Sequence, residues 1–98
     1  MLTQQDPRIA GLHVALEEQY RLRTEQLTKL VTQSHRDDDA AAAAAASCRQ
    51  ALADIASALR SMAEGRYGDC EGCGLPIAIA RLDVLPHARF CMPCQQRR

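Results

Sequence analysis

The sequence predicts a mainly α protein: an antiparallel two-helix coiled-coil hairpin, then a small four-cysteine module with one short helix. Three observations predict it. Up to position 64 only Pro7 and Gly11 punctuate the chain, whereas four glycines and three prolines crowd residues 65–98. Two long stretches repeat apolar residues at three- and four-residue steps. Two Cys-x-x-Cys pairs fall in the last third. The hairpin is expected over residues 1–66, with its tip near 34–40, and the module over 67–98.

The first helix should run from about Pro7 to Gln33. Pro7 suits a first helical turn, and Asp6 can cap it. Ile9, Leu12, Leu16, Tyr20, Leu27 and Leu30 form its stripe, interrupted by Arg23. On the polar face, Glu17–Arg21 and Glu25–Lys29 have ion-pair spacing. The second helix should run from about Asp38 to Glu64. Its seam, Ala41, Ala45, Cys48, Leu52, Ile55, Leu59 and Met62, keeps heptad steps. Asp37, Asp38 and Asp39 put negative charge at its positive end.

Two such stripes joined by a short polar break fold back on each other. Leu12 should face Leu59, Leu16 should face Ile55 or Ala56, Tyr20 should face Leu52, and Leu27 should face Ala45. The turn then centres near Arg36, on an arm of roughly 40 Å. The seven alanines Ala40 to Ala46 make its end slim and strongly helical. A slim arm with an acidic tip suggests insertion into something. A dimerising coiled coil would use the same stripes, and the acidic tip could also bind Mg²⁺ weakly.

The module is built on Cys70-x2-Cys73-x17-Cys91-x2-Cys94. Each pair can aim two thiolates at one ion from a tight turn, with Gly72 and Gly74 giving Cys73 backbone freedom. Four sulfurs suit one closed tetrahedral structural Zn²⁺. A redox pair, an iron–sulfur cluster and disulfides are the alternatives. A closed site leaves no open position for catalysis, so chelation should unfold residues 67–98 and leave much of the hairpin helical. Cys48 reads as a small buried hydrophobe and His87 as plain surface. Between the pairs, Leu75 to Asp83 reads as a short helix with Pro76 near its start. Ile77, Leu82 and Leu85 should pack beneath the metal or on the base of the arm.

Twelve basic and twelve acidic residues cancel, which argues against broad electrostatic capture of nucleic acid. There is no apolar run long enough to span a membrane and no secretory leader, so a reducing cytoplasmic setting is expected. No phosphate loop or nucleophile–base arrangement points to an enzyme.

Arg66-Tyr67-Gly68-Asp69-Cys70-Glu71-Gly72-Cys73-Gly74, then Ile77, Ala80-Arg81-Leu82, Pro86 and Cys91-x2-Cys94-Gln95 resemble the zinc finger of the DksA/TraR family. An acidic-tipped helical hairpin before it is also a feature of that family. The resemblance implies a bacterial regulator, monomeric, that binds RNA polymerase directly rather than a DNA sequence. It would insert its hairpin into the secondary channel, bringing the tip (Asp37, Asp38, Asp39, Ala40, Ala41) near the active site. Arg36 and Arg81 are candidate polymerase or nucleic-acid contacts.

The chain departs from the family pattern in three ways. The tip motif Asp-x-x-Asp-x-Ala keeps only its second half, as Asp39-x-Ala41 or Asp38-x-Ala40, with Arg36 or His35 at the first aspartate. The arm is short, with little room for a C-terminal helix after the module. Basic residues of ppGpp-responsive members correspond to Leu85, Gln95 and Asp54, which implies little ppGpp binding. The runner-up function is a zinc-ribbon adaptor or nucleic-acid-binding protein using Arg81, Arg89, Arg97 and Arg98.

Overall fold

The computed structural model of the chain describes residues 4–33 and 39–97. They form α1 (Pro7–Gln33), α2 (Asp39–Ala63), α3 (Ile79–Val84) and α4 (Met92–Gln96). Helices α1 and α2 pack on each other along their length as the expected hairpin. The long axis of the molecule is 46 Å.

Asp6 starts α1 as expected. Its Oδ1 accepts the Arg8 amide at 2.9 Å, and its carbonyl accepts the Ile9 amide at 2.9 Å. At the other end of the hairpin's second helix, Gly65 has φ +73°. There the Arg66 amide bonds the Ser61 carbonyl at 2.8 Å and the Gly65 amide bonds Met62 at 3.2 Å. This Schellman closure stops α2 and turns the chain into the module.

The packing stripe of α1 differs from the expected one in its middle. Leu16 and Ile55, paired in the sequence reading, are both completely buried. Tyr20, however, is 42% exposed, while Gln19 and Arg23 are half-buried. The repeat follows 12, 16, 19 and 23, and Arg23 belongs to the seam rather than interrupting it. An arginine stem can cover apolar surface while its head reaches water. The Arg23 carbonyl also accepts the buried Cys48 thiol at 3.0 Å, giving Cys48 a partner across the hairpin. The polar face is rearranged too. Arg21 pairs with Glu18 at 2.5 Å and Glu25 at 2.7 Å, and Glu17 faces His13 at 3.2 Å.

The core lies at the base of the hairpin and is shared with the module. Leu16, Ile55 and Ala58 of the hairpin cluster with Tyr67, Cys70, Ile77 and Leu82. Ile9, Leu12, Leu59, Met62 and Phe90 pack around them. Farther out along the arm, among the described residues, only Ala45 and Cys48 are buried.

Within the module, α3 begins later than expected. Pro76 forms an isolated antiparallel bridge with Asp69, and the Ile77 amide bonds the Gly68 carbonyl at 2.7 Å. This pairing holds residues 76 and 77 extended, so the helix begins at Ile79. Leu85 ends only half-buried, unlike Ile77 and Leu82. A further short helix, α4, lies within the module and carries Cys94.

Candidate metal centre and the junction with the arm

Two tight turns bring the four cysteines together. In the first, the Gly74 amide bonds the Cys70 carbonyl at 2.9 Å, and Gly74 takes φ +78°. Gly72 serves a different need. A Cβ there would lie 3.1 Å from Cys94 Sγ and 3.3 Å from its Cβ, so a side chain would push the second turn away. The second turn is the start of α4: Cys91 stands at its N-cap, Pro93 occupies its first turn, and the Gln95 amide bonds the Cys91 carbonyl at 2.8 Å.

The four sulfur atoms lie within 4.8 Å of one another. Cys73 Sγ and Cys91 Sγ are 3.8 Å apart. Four thiolates about 2.3 Å from one tetrahedral zinc would stand about 3.8 Å apart, so the donor set fits the ion. The second layer fits as well. Backbone amides of Gly72 and Cys91 each donate to Cys70 Sγ at 3.3 Å. Burial pushes the Cys70 thiol up, but the amide bonds from Cys91, Cys73 and Gly72 outweigh it and bring it down to about 6. Cys94, crowded by the other three sulfurs, is pushed up to about 12. Such a set holds its charge readily only when a cation shares it. The cluster comprises these four groups alone among the described residues, and His87 is not among them.

A fork built on Arg89 ties this centre to the arm. Its guanidinium pairs with Glu71, beside Cys70, and with Asp54 of α2 at 3.2 Å. Glu71 and Arg89 also pair through the backbone, the Glu71 amide donating to the Arg89 carbonyl at 2.8 Å. The bond from Arg89 lowers the Glu71 carboxyl, and the bond to Glu71 raises the Arg89 guanidinium. Tyr67 braces the same junction from beneath, its hydroxyl donating to the Pro86 carbonyl at 2.8 Å.

The other expected contact residues are distributed unevenly. Arg81 is directed inward to its own module, donating from Nε to the Phe90 carbonyl at 3.2 Å and lying 3.0 Å from Met92 Sδ. Arg97 bonds the Pro93 carbonyl at 3.2 Å. Asp39 and Ala40 are exposed at the start of α2, and Ala41 is half-buried. Arg36, Asp37 and Asp38 lie outside the described residues, as does Arg98. His87 is not plain surface: its ring is half-buried, and its Nδ1 is shielded from solvent.

Sequence reasoning missed the Arg89 fork. Its signal was present as opposite charges beside the two turns, Glu71 just after Cys70 and Arg89 two residues before Cys91. Asp54, Leu85 and Gln95, far apart in sequence, line one cleft of about 370 Å³ together with Arg81, His87 and Arg89.

The fold and site define a helical hairpin seated on a four-cysteine zinc-finger module. Residues 65–98 match the prokaryotic dksA/traR C4-type zinc finger. Over 49 residues the chain is 41% identical to the RNA polymerase-binding transcription factor DksA of Caulobacter vibrioides, a match covering 50% of this chain and 34% of that protein. Over 47 residues it is 38% identical to general stress protein 16O of Bacillus subtilis, covering 48% and 29%. The match thus spans about a third of each relative's length.

The likeness of fold extends further. The structure of transcription factor DksA2 from Pseudomonas aeruginosa superposes with a TM-score of 0.67 at 23% identity, over 96% of this chain and 84% of that one. The RNA polymerase binding protein and transcriptional regulator Dks from Chlamydia trachomatis gives 0.61 at 25% identity, over 95% and 88%.

Proposed function

We propose that this chain is a bacterial transcription regulator that binds RNA polymerase directly and acts in the cytoplasm as a monomer. Its hairpin enters the secondary channel, and its zinc module, with Cys70, Cys73, Cys91 and Cys94 as ligands, sets the arm against the channel rim. The observation that carries the reading is the combination in one chain of a DksA-type zinc finger and a fold, hairpin included, that matches the Chlamydia trachomatis regulator over 95% of this chain. The arm suits insertion: each helix is about 10–12 Å across with ordinary side chains, and the alanines of α2 make its outer half slimmer.

The reading includes no ppGpp site of the protein's own. A phosphate-rich ligand needs free cations or exposed amides. In the cleft at the junction, Arg89 is held by Asp54 and Glu71, Arg81 by Phe90, and Leu85 and Gln95 bring no charge. The same engagements weigh against the nucleic-acid reading, which relied on Arg81 and Arg89. Steep salt dependence of DNA binding would revive that reading.

The test is competition with a known secondary-channel factor for purified bacterial RNA polymerase, with Asp38→Asn/Asp39→Asn beside wild type. Wild type should compete. The double variant should also compete but lose its effect on initiation, identifying the tip as the acting part. Failure of wild type to compete refutes the channel reading.

A further inference from the structure

Among the described residues, His87 Nδ1 is a side-chain nitrogen buried without a hydrogen-bond partner. Either neutral tautomer leaves it unsatisfied, as a donor without an acceptor or the reverse. The ring lines the junction cleft with Gln50 and Asp54 of α2, Arg81 of α3 and Arg89 of its own loop. Asp54 is the carboxylate of that cleft. It already accepts Gln50 Nε2 at 3.0 Å and Arg89 at 3.2 Å.

We propose that His87 is a proton-operated catch between the zinc module and the arm, acting by exchanging the partner of Asp54. While the ring is neutral, Arg89 holds Asp54 and the module is latched to α2. A proton taken from solvent by the imidazole makes both ring nitrogens donors and adds a cation beside Arg81, Arg89 and Arg23 of α1. The new cation needs a carboxylate, and the cleft offers Asp54. Arg89 then releases Asp54 and keeps Glu71, so the link between the module and α2 passes from Arg89 to His87 while the link within the module stays closed. Burial holds the ring's affinity for the proton below the ordinary histidine value, Arg23 adds to this, and Asp54 opposes it. The catch therefore operates on the acid side of neutrality. This inference stands whether or not the partner is RNA polymerase.

The test is an NMR titration of the zinc-loaded full chain from about pH 8 to pH 5, reading the His87 ring and the Asp54 and Glu71 carboxyl carbons. Zinc content is measured in the same samples. His87 should titrate with a midpoint below about 6.5, and Asp54→Asn should move that midpoint lower still. The Asp54 signal should shift at the His87 midpoint while that of Glu71 does not. In His87→Gln, or in His87→Phe if the first variant folds poorly, this step in the Asp54 signal should vanish. The inference is overturned by an Asp54 step that persists in both variants, by no step in wild type, or by zinc loss at or above the His87 midpoint.

Discussion

Leu82→Ala tests whether the arm and the zinc module are one cooperative unit. Leu82 belongs to α3, inside the module, yet it is fully buried in the cluster that contains Leu16, Ile55 and Ala58 of the hairpin. Truncating a buried leucine removes its transfer free energy and leaves a cavity, about 3 kcal/mol together. For a chain of this size each kcal/mol lowers the melting temperature by about 4–8 °C, so the expected drop is about 12–24 °C. Circular dichroism of the zinc-loaded protein reads it where it matters. The four helices hold 27, 25, 6 and 5 residues, so the helical signal comes mostly from the arm. A module substitution that moves this signal acts through the shared core. Val84→Ala on the same helix, 84% exposed, should leave it within a degree or two of wild type. If Leu82→Ala shifts the main transition by less than about 4 °C, the two parts fold separately and the argument from the shared core fails.

Other expectations follow from the same geometry. Chelating the zinc should unfold residues 67–98 and fray the base of the arm, so the helical signal should fall by more than α3 and α4 alone hold; a loss confined to their share would contradict the common core. In a Tyr20→Phe background, the Tyr67 phenol, pushed up to about 12 by burial and by the nearby Asp83 charge, should ionise late in a spectrophotometric titration. Because the unfolded phenol ionises near 10, stability from this group is fully present below that pH and is lost between about 10 and 12. Arg89→Ala should lower stability by about 1 kcal/mol, a modest figure because the guanidinium is a third exposed; denaturant midpoints check it. Gly72→Ala should weaken zinc affinity measured by chelator competition, since its methyl would meet Cys94 Sγ; unchanged affinity would mean the second turn yields freely.

Helix existence was legible in the sequence because long periodic segments carry redundant information. The bounds of α1 match, and Leu16 and Ile55, expected to face each other, share the buried cluster. Tyr20 shows where that redundancy ends. An aromatic ring and an arginine stem can each cover a seam, and only the packed geometry chooses Arg23 over Tyr20. The φ of Pro76 suits a helix start, but a pairing with Asp69 holds it extended, and pairing partners are invisible to local pattern. The four-cysteine cluster was fully legible, since spacing alone brings the sulfurs together. The Arg89 fork and the shielded His87 were not, because each depends on how the module sits against α2.

The uneven core has a consequence for hydrogen exchange. Large buried side chains gather at the base, and beyond Cys48 only Ala45 is buried among the described residues. Amides near Ile55 and Leu82 should exchange only through global unfolding, while those toward Val31 and Ala41 should exchange through cheaper local openings. The arm thus carries a gradient of opening free energy that falls from base to end. The outer part of the arm can therefore open without disturbing the zinc-anchored base.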